Sequence, residues 1–209
     1  MAKTAAHAEP RKRPSQARSA ATVAAMLEAA ARIIEARGWA ALTTNHVAEL
    51  SGASIGSLYQ YFPSKEALLA ELVRRERAML LHDVAQAMAL EGELPFAIEQ
   101  GVLAGLAHQF RRPALALALE SAPSSPSLQR EDEALRQALA GQLVGRLARH
   151  GVADPDMAAA DVIALCRGII DAAALRGETD MASLARRLGR ATRGYLDTAA
   201  PAREAAASA

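Results

Sequence analysis

The chain has little of several things, and each shortage removes a class of protein. One cysteine, Cys166, occurs in 209 residues, which excludes an intramolecular disulfide framework and any cysteine-rich metal spacing. It lies in the apolar run Val162-Ile163-Ala164-Leu165-Cys166, the setting of a buried structural thiol, and a reducing compartment is the expectation. Aromatic residues make up 3% against a hydrophobic share of 51%, so a core must be filled by Ala, Leu, Val and Ile, which favours helices packed through small residues. No run alternates apolar and polar residues convincingly, and β architecture is not expected. No stretch approaches the roughly 18 uninterrupted apolar residues that span a bilayer, and Met1-Ala2-Lys3-Thr4-Ala5-Ala6-His7 carries no apolar signal segment. The expectation is a soluble, cytoplasmic protein without a membrane partner.

Catalytic apparatus is equally scarce. The histidines His7, His46, His82, His108 and His150 form no i,i+4 pair, there is no phosphate-cradling glycine loop and no serine elbow, and Ser124-Ser125-Pro126 reads as a loop and helix start rather than a nucleophile. An enzyme is not expected, nor a cofactor or bound metal. No repeat of 20 to 50 residues appears. Net charge is only +1, but its distribution is uneven: Lys3, Arg11, Lys12, Arg13 and Arg18 crowd the start against Glu9 alone. Residues 1–18 form a basic arm of the kind that follows a phosphate backbone.

What is present is a succession of helix-length blocks divided by Gly and Pro. A first helix runs over about 15–37, with Val23, Met26, Leu27, Ala30, Ile33 and Ile34 at helical spacing and Gly38 as its C-terminal cap. Thr44 is placed to cap a short helix through Leu50, Ser51-Gly52-Ala53 makes a tight turn, and Ser54 caps a second short helix that must end near Phe62 because Pro63 follows. A long helix follows over about 64–90, and five more are expected over 95–111, 113–121, 127–149, 155–176 and 181–198. In the fifth of these nine blocks onward, Asp154-Pro155 is the clearest start signal. The fold class is all-α: an arm (1–18), a three-helix head with a helix-turn-helix at about 43–62 (19–80), a larger helical domain (81–198), and a frayed tail (199–209).

Two short helices joined by a glycine turn set the second helix across the first, so that its outer face can enter the roughly 12 Å major groove of DNA. Leu58 and Phe62, four apart, face inward, leaving Ser57, Gln60 and Tyr61 outside. Ser57 can read a base edge, Ile55 can touch a thymine methyl, and Gly56 admits close backbone approach. Thr44, Tyr59, Tyr61 and Lys65 are suited to phosphate.

Residues from about 20 to 80 resemble the DNA-binding domain of the tetracycline-repressor (TetR) family of bacterial regulators. The resemblance rests on Ala30-Ala31-Arg32-Ile33-Ile34-Glu35-Ala36-Arg37-Gly38-Trp39, on Thr44 through Gly52, and on Leu58-Tyr59-Gln60-Tyr61-Phe62-Pro63-Ser64-Lys65-Glu66-Ala67-Leu68-Leu69. It implies a three-helix head joined by a fourth helix to a helical domain that binds a small molecule and dimerises. It also implies that Thr44 and Lys65 contact phosphate, and that Gly56, Ser57, Tyr59 and Tyr61 hold DNA-facing positions. His46, where the family often carries an acidic residue, is a further candidate for phosphate, and Ser54, Gln60 and Arg18 are further candidates for DNA contact. From Ile55 to Phe62 no residue is charged, so no Arg offers a bidentate guanine contact, and readout must lean on small contacts, shape and the arm.

The expected partners are double-stranded DNA carrying a near-palindromic operator, an unknown small-molecule effector, and a second copy of the chain. His108, Glu120, Arg167 and Asp171 are polar residues in apolar surroundings and are the effector-site candidates, although Arg167 and Asp171 are four apart and can simply pair on one helix. Ala158, Ala159, Ala160, Ala164, Gly168 and Ala172 permit close helix approach, and with Val162, Leu165, Ile169 and Leu188 suggest a two-fold interface over about 155–198. The expected function is that of a repressor released from its operator by an effector; a non-sensing dimeric DNA-binding protein, or an activator of the same fold, is the alternative.

Overall fold

The computed structural model describes residues 17–90, 92–120 and 126–199, with side chains described for all of these except 17, 18, 120, 126, 127 and 199. The expected arm up to residue 16, the Ser124-Ser125 loop and the tail from 200 lie outside the described residues. The described residues form nine α-helices and no strand. They are α1 (Ala17–Arg37), α2 (Thr44–Ser51), α3 (Ile55–Tyr61), α4 (Lys65–Met88), α5 (Leu94–Arg111), α6 (Pro113–Glu120), α7 (Pro126–Arg149), α8 (Pro155–Leu175) and α9 (Met181–Ala199), with a 3-10 turn at Trp39–Ala41 after α1. None of these helices is long and apolar enough to cross a membrane.

The stops are chemical. The N–H of Gly38 reaches back 2.8 Å to the carbonyl of Ile34, and Gly38 leaves the helix at φ 70, a left-handed conformation that costs glycine little. Asp154 caps α8 by accepting from the N–H of Met157 at 3.0 Å, with Pro155 next. One cap is displaced from expectation. Thr43, not Thr44, caps α2: its backbone is extended at φ −131, ψ 149 and its hydroxyl accepts from the N–H of His46 at 3.2 Å. A cap must stand outside the helical backbone, and Thr44 already belongs to the first turn.

Packing divides the chain into two compact units, one comprising the described residues up to Arg77 together with Ala114–Glu131, the other Ala78–Pro113 together with the described residues from Asp132 onward. In the first, Met26, Ile33 and Ile34 of α1, Val47 of α2, Leu58 and Phe62, and Leu68 and Leu72 of α4 close a single core. By packing, α6 joins this unit. Leu115 is 1% exposed within the head core, and the Trp39 indole N–H donates to the carbonyl of Ala118 at 2.5 Å. Arg74 adds an ion-pair link, reaching Glu71 at 2.7 Å and Glu131 at 2.6 Å.

The second unit has its own core from Val84, Ile98, Val102, Leu106, Leu143, Leu147, Val162, Leu184 and Leu188, in which α9 packs on both α5 and α8. The last turn of α7 ties down the connection between α4 and α5. Arg146 donates to the terminal carbonyl of α4 at Met88, and His150 Nε2 accepts from the N–H of Leu94 at 3.3 Å while its Nδ1 faces the Arg146 carbonyl at 3.0 Å. A cation therefore sits at a helix C-terminus and an acceptor at a helix N-terminus, which satisfies groups that those helices leave unpaired.

Candidate nucleic-acid interface

The interface is built on the turn between α2 and α3. Gly52 ends α2 in a left-handed conformation, φ 67 and ψ 18, with its N–H turned back on Ala48 and Glu49. Ser54 then caps α3, accepting from the N–H of Ser57 at 3.0 Å, and its hydroxyl lies 2.8 Å from that of Ser57. Leu58 is 0% and Phe62 1% exposed, so the inward face of α3 is fixed in the head core. With α2 anchored through Val47, also 0% exposed, the pair is held rigidly, and burial of Leu58 alone is worth about 2–5 kcal/mol as judged by truncation to Ala.

The other face of α3 is open. Ile55 is 40% and Tyr59 45% exposed, and Ser54, Gly56 and Gln60 are exposed as well. Ser57 is half-buried. A Cβ built on Gly56 would meet only the Ser54 hydroxyl, 3.9 Å away. Nothing inside the protein requires glycine there, so its smallness matters only to something outside. Tyr61 differs from its neighbours: it is half-buried and packs against the head core. The Thr44 hydroxyl lies 3.1 Å from the Tyr59 hydroxyl, joining the start of α2 to the middle of α3. His46 is half-buried in the first turn of α2, Lys65 is exposed as the first residue of α4, and Ser64 caps that helix by accepting from the Ala67 N–H at 3.2 Å. Ile55, Gly56, Tyr59 and Gln60 thus give the open face of α3 small, neutral and hydroxyl-bearing groups, with Thr44 joined to it through Tyr59. The side chain of Arg18 lies outside the described residues.

Three of the four effector candidates have described side chains. The Glu120 side chain lies outside the described residues, and Glu120 ends α6 in the first unit, whereas the other three belong to the second. Arg167 and Asp171 pair with each other along α8 at 3.5 Å. His108 Nδ1 lies 3.8 Å from Asp83 Oδ2, to which Arg111 also donates at 2.7 Å. The Arg111 hydrogen bond holds the Asp83 carboxyl below its ordinary pKa. The amide nitrogen of Gln109 is buried without a hydrogen-bond partner among the described residues. The approach of Asp83 to His108 and Arg111 is not legible in the sequence, because 28 residues separate Asp83 from Arg111 and no local spacing joins them. Burial pushes the Cys166 thiol up to about 11, so it remains protonated and unreactive at neutral pH.

A helix-turn-helix whose second helix is anchored inside and open outside, carried with a separate helical unit, defines a DNA-binding regulator of the two-part helical kind. Two family models agree with that geometry: residues 26–72 match bacterial regulatory proteins of the tetR family, and residues 93–196 match the tetracyclin repressor-like C-terminal domain. The chain belongs to the TetR family of transcriptional regulators, non-enzymatic proteins that bind DNA. Solved structures share the fold at low identity. A TetR-like transcriptional regulator from Rhodococcus sp. RHA1 is 18% identical, with 88% of this chain and 99% of that chain covered and a TM-score of 0.69. A TetR family transcription regulator from Marinobacter aquaeolei VT8 is 18% identical, with coverages of 86% and 96% and a TM-score of 0.65. The fatty acid degradation regulator FadR from Bacillus halodurans is 14% identical, with coverages of 88% and 97% and a TM-score of 0.72. No curated protein sequence matches the chain.

Proposed function

We propose that the chain is a ligand-responsive repressor that binds a near-palindromic operator as a homodimer and is released by a small-molecule effector. The observation that carries the reading is the uncovered face of α3, anchored inside by Leu58 and joined to Thr44 through Tyr59, with Lys65 exposed at the start of α4. In this reading α3 lies in the major groove, Ser57 and Ile55 meet base edges, Gly56 admits close approach, Gln60 remains at the groove wall, and Thr44, His46, Tyr59, Tyr61 and Lys65 hold the sugar-phosphate backbone. Ser54 fixes the start of α3, and the arm with Arg18 adds sequence-independent affinity.

One short helix reads too few base pairs for useful specificity, and two related heads multiply it. The dimer forms through α8 and α9, over about 155–198. Support comes from apolar side chains at their exposed ends, with Met157 58%, Leu175 73% and Met181 38% exposed, and from Ala160, Ala164 and Gly168 left exposed between them along α8. Effector binds the second unit and shifts the population toward a head spacing that no longer fits successive grooves about 34–36 Å apart. Selection of binding sites from a randomised duplex pool tests this. The reading requires two symmetric half-sites, and release of the selected duplex by at least one member of a metabolite library; a single unsymmetric site, or binding that no compound relieves, contradicts it.

A further inference from the structure

The outward faces of α8 and α9 carry opposite charge. On α9, Arg186, Arg190 and Arg193 recur at i, i+4 and i+7 and are all exposed, on the side opposite Leu184, Leu188 and Thr192, which are each at most 1% exposed. None of these three arginines has an ion-pair or hydrogen-bond partner among the described residues, in contrast to Arg187, which pairs with Glu178 at 2.7 Å. With Arg187 and Asp197 included, α9 carries a net +3. On α8, Asp156, Asp161 and Asp171 stand against Arg167 alone, for a net −2. Asp156 and Asp161 are exposed, and Asp161 is held in place by the Tyr195 hydroxyl, which donates to it at 2.6 Å.

Three unpartnered arginines on one face repel one another and, in water, gain nothing for the monomer. A second copy changes this. When two helices from each of two copies gather about a two-fold axis, each helix has one neighbour from its own chain and one from its partner, so α8 of one copy faces α9 of the other. We infer that the acidic face of α8 and the arginine row of α9 recognise each other across the dimer, so that the occupant of this surface is a second copy of the same chain and its charge pattern selects like for like. The inference rests on the dimer proposed above. It assigns partner choice to charge, and leaves the exposed methionines and leucine to supply apolar burial.

Two charge-inverted variants test it. The first, Arg186→Glu/Arg190→Glu/Arg193→Glu, is acidic on both helices. The second, Asp156→Lys/Asp161→Lys, is basic on both. Sedimentation equilibrium should find each variant alone dimerising at least about tenfold more weakly than the parent, with helix content unchanged in circular dichroism because every substituted side chain is exposed. Mixed in equal amounts, the two should form a mixed dimer about as tightly as the parent. Either variant dimerising like the parent, or a mixture that stays monomeric, overturns the inference. Should the triple variant lose helix content, Arg190→Glu alone and the salt dependence of the parent decide: loosening of the parent dimer by added salt supports charge recognition, and tightening overturns it. A parent that is monomeric at every concentration refutes the dimer reading itself, an outcome distinct from a parent that dimerises without regard to charge.

Discussion

Lys65 is placed where the helix itself does not want it. As the first residue of α4 it sets a cation beside the unpaired N–H groups and positive end of a 24-residue helix, with Glu66 next to it as the acid in that turn. It is exposed and makes no ion pair among the described residues. A cation at that end is unfavourable by about 0.3–1 kcal/mol. Lys65→Ala should therefore leave the unfolding free energy unchanged or raise it by up to about 1 kcal/mol. Its effect on DNA should be opposite in sign. If Lys65 neutralises one phosphate per head, its loss lowers the slope of log affinity against log salt by about 0.9 per head, or about 1.8 for two heads. Fluorescence anisotropy with a selected duplex over a salt series, alongside thermal unfolding, measures both. An unchanged slope refutes the assignment to phosphate, and a loss of stability above about 1 kcal/mol refutes the claim that the lysine serves only an external anion.

Other consequences concern single positions. Gly56→Leu should fold with the parent's stability to within about 0.5 kcal/mol, since space there is open and the backbone is ordinary helix, yet fail to bind the selected duplex in the same anisotropy assay. Gly52→Ala should unfold more readily by about 1–2 kcal/mol in denaturant, because φ 67 rather than crowding is the obstacle. The Asp83 carboxyl is lower in pKa folded than unfolded, so its contribution is fully present above the ordinary carboxylate range and is lost as pH falls through the folded value. Acid denaturation of Asp83→Asn should accordingly begin from lower stability at neutral pH and converge on the parent in acid. Cys166 should resist alkylation at neutral pH and react only after unfolding, followed by mass spectrometry, since its thiol titrates at about 11.

The helices were legible because their signals are local. Ser54, Gly52, Gly38 and the Asp154-Pro155 pair act within a turn of where they stand, and the positions at which they act are those expected. The cap of α2 was misplaced by one residue because two threonines adjoin and only backbone conformation separates a cap from a first turn. The packing of α6 on Trp39 is not legible in the sequence, since it joins an indole and a carbonyl 79 residues apart. Likewise Leu58 and Phe62 declare themselves inward by spacing, whereas the partial burial of Tyr61 depends on what the head core presents to it. The polar residues of the second unit illustrate the harder limit: a sequence marks His108 as unusual, but only three-dimensional packing brings Asp83 to it and to Arg111.

The central claim is that the open face of α3 reads bases while the hydroxyls and lysine around it hold phosphate. Site selection from a random duplex pool with the parent, Ser57→Ala and Tyr59→Phe tests this most directly. Ser57→Ala should change the preferred base at one position in each half-site, and Tyr59→Phe should retain the parental motif at uniformly lower affinity. Identical motifs and affinities for all three proteins would contradict it.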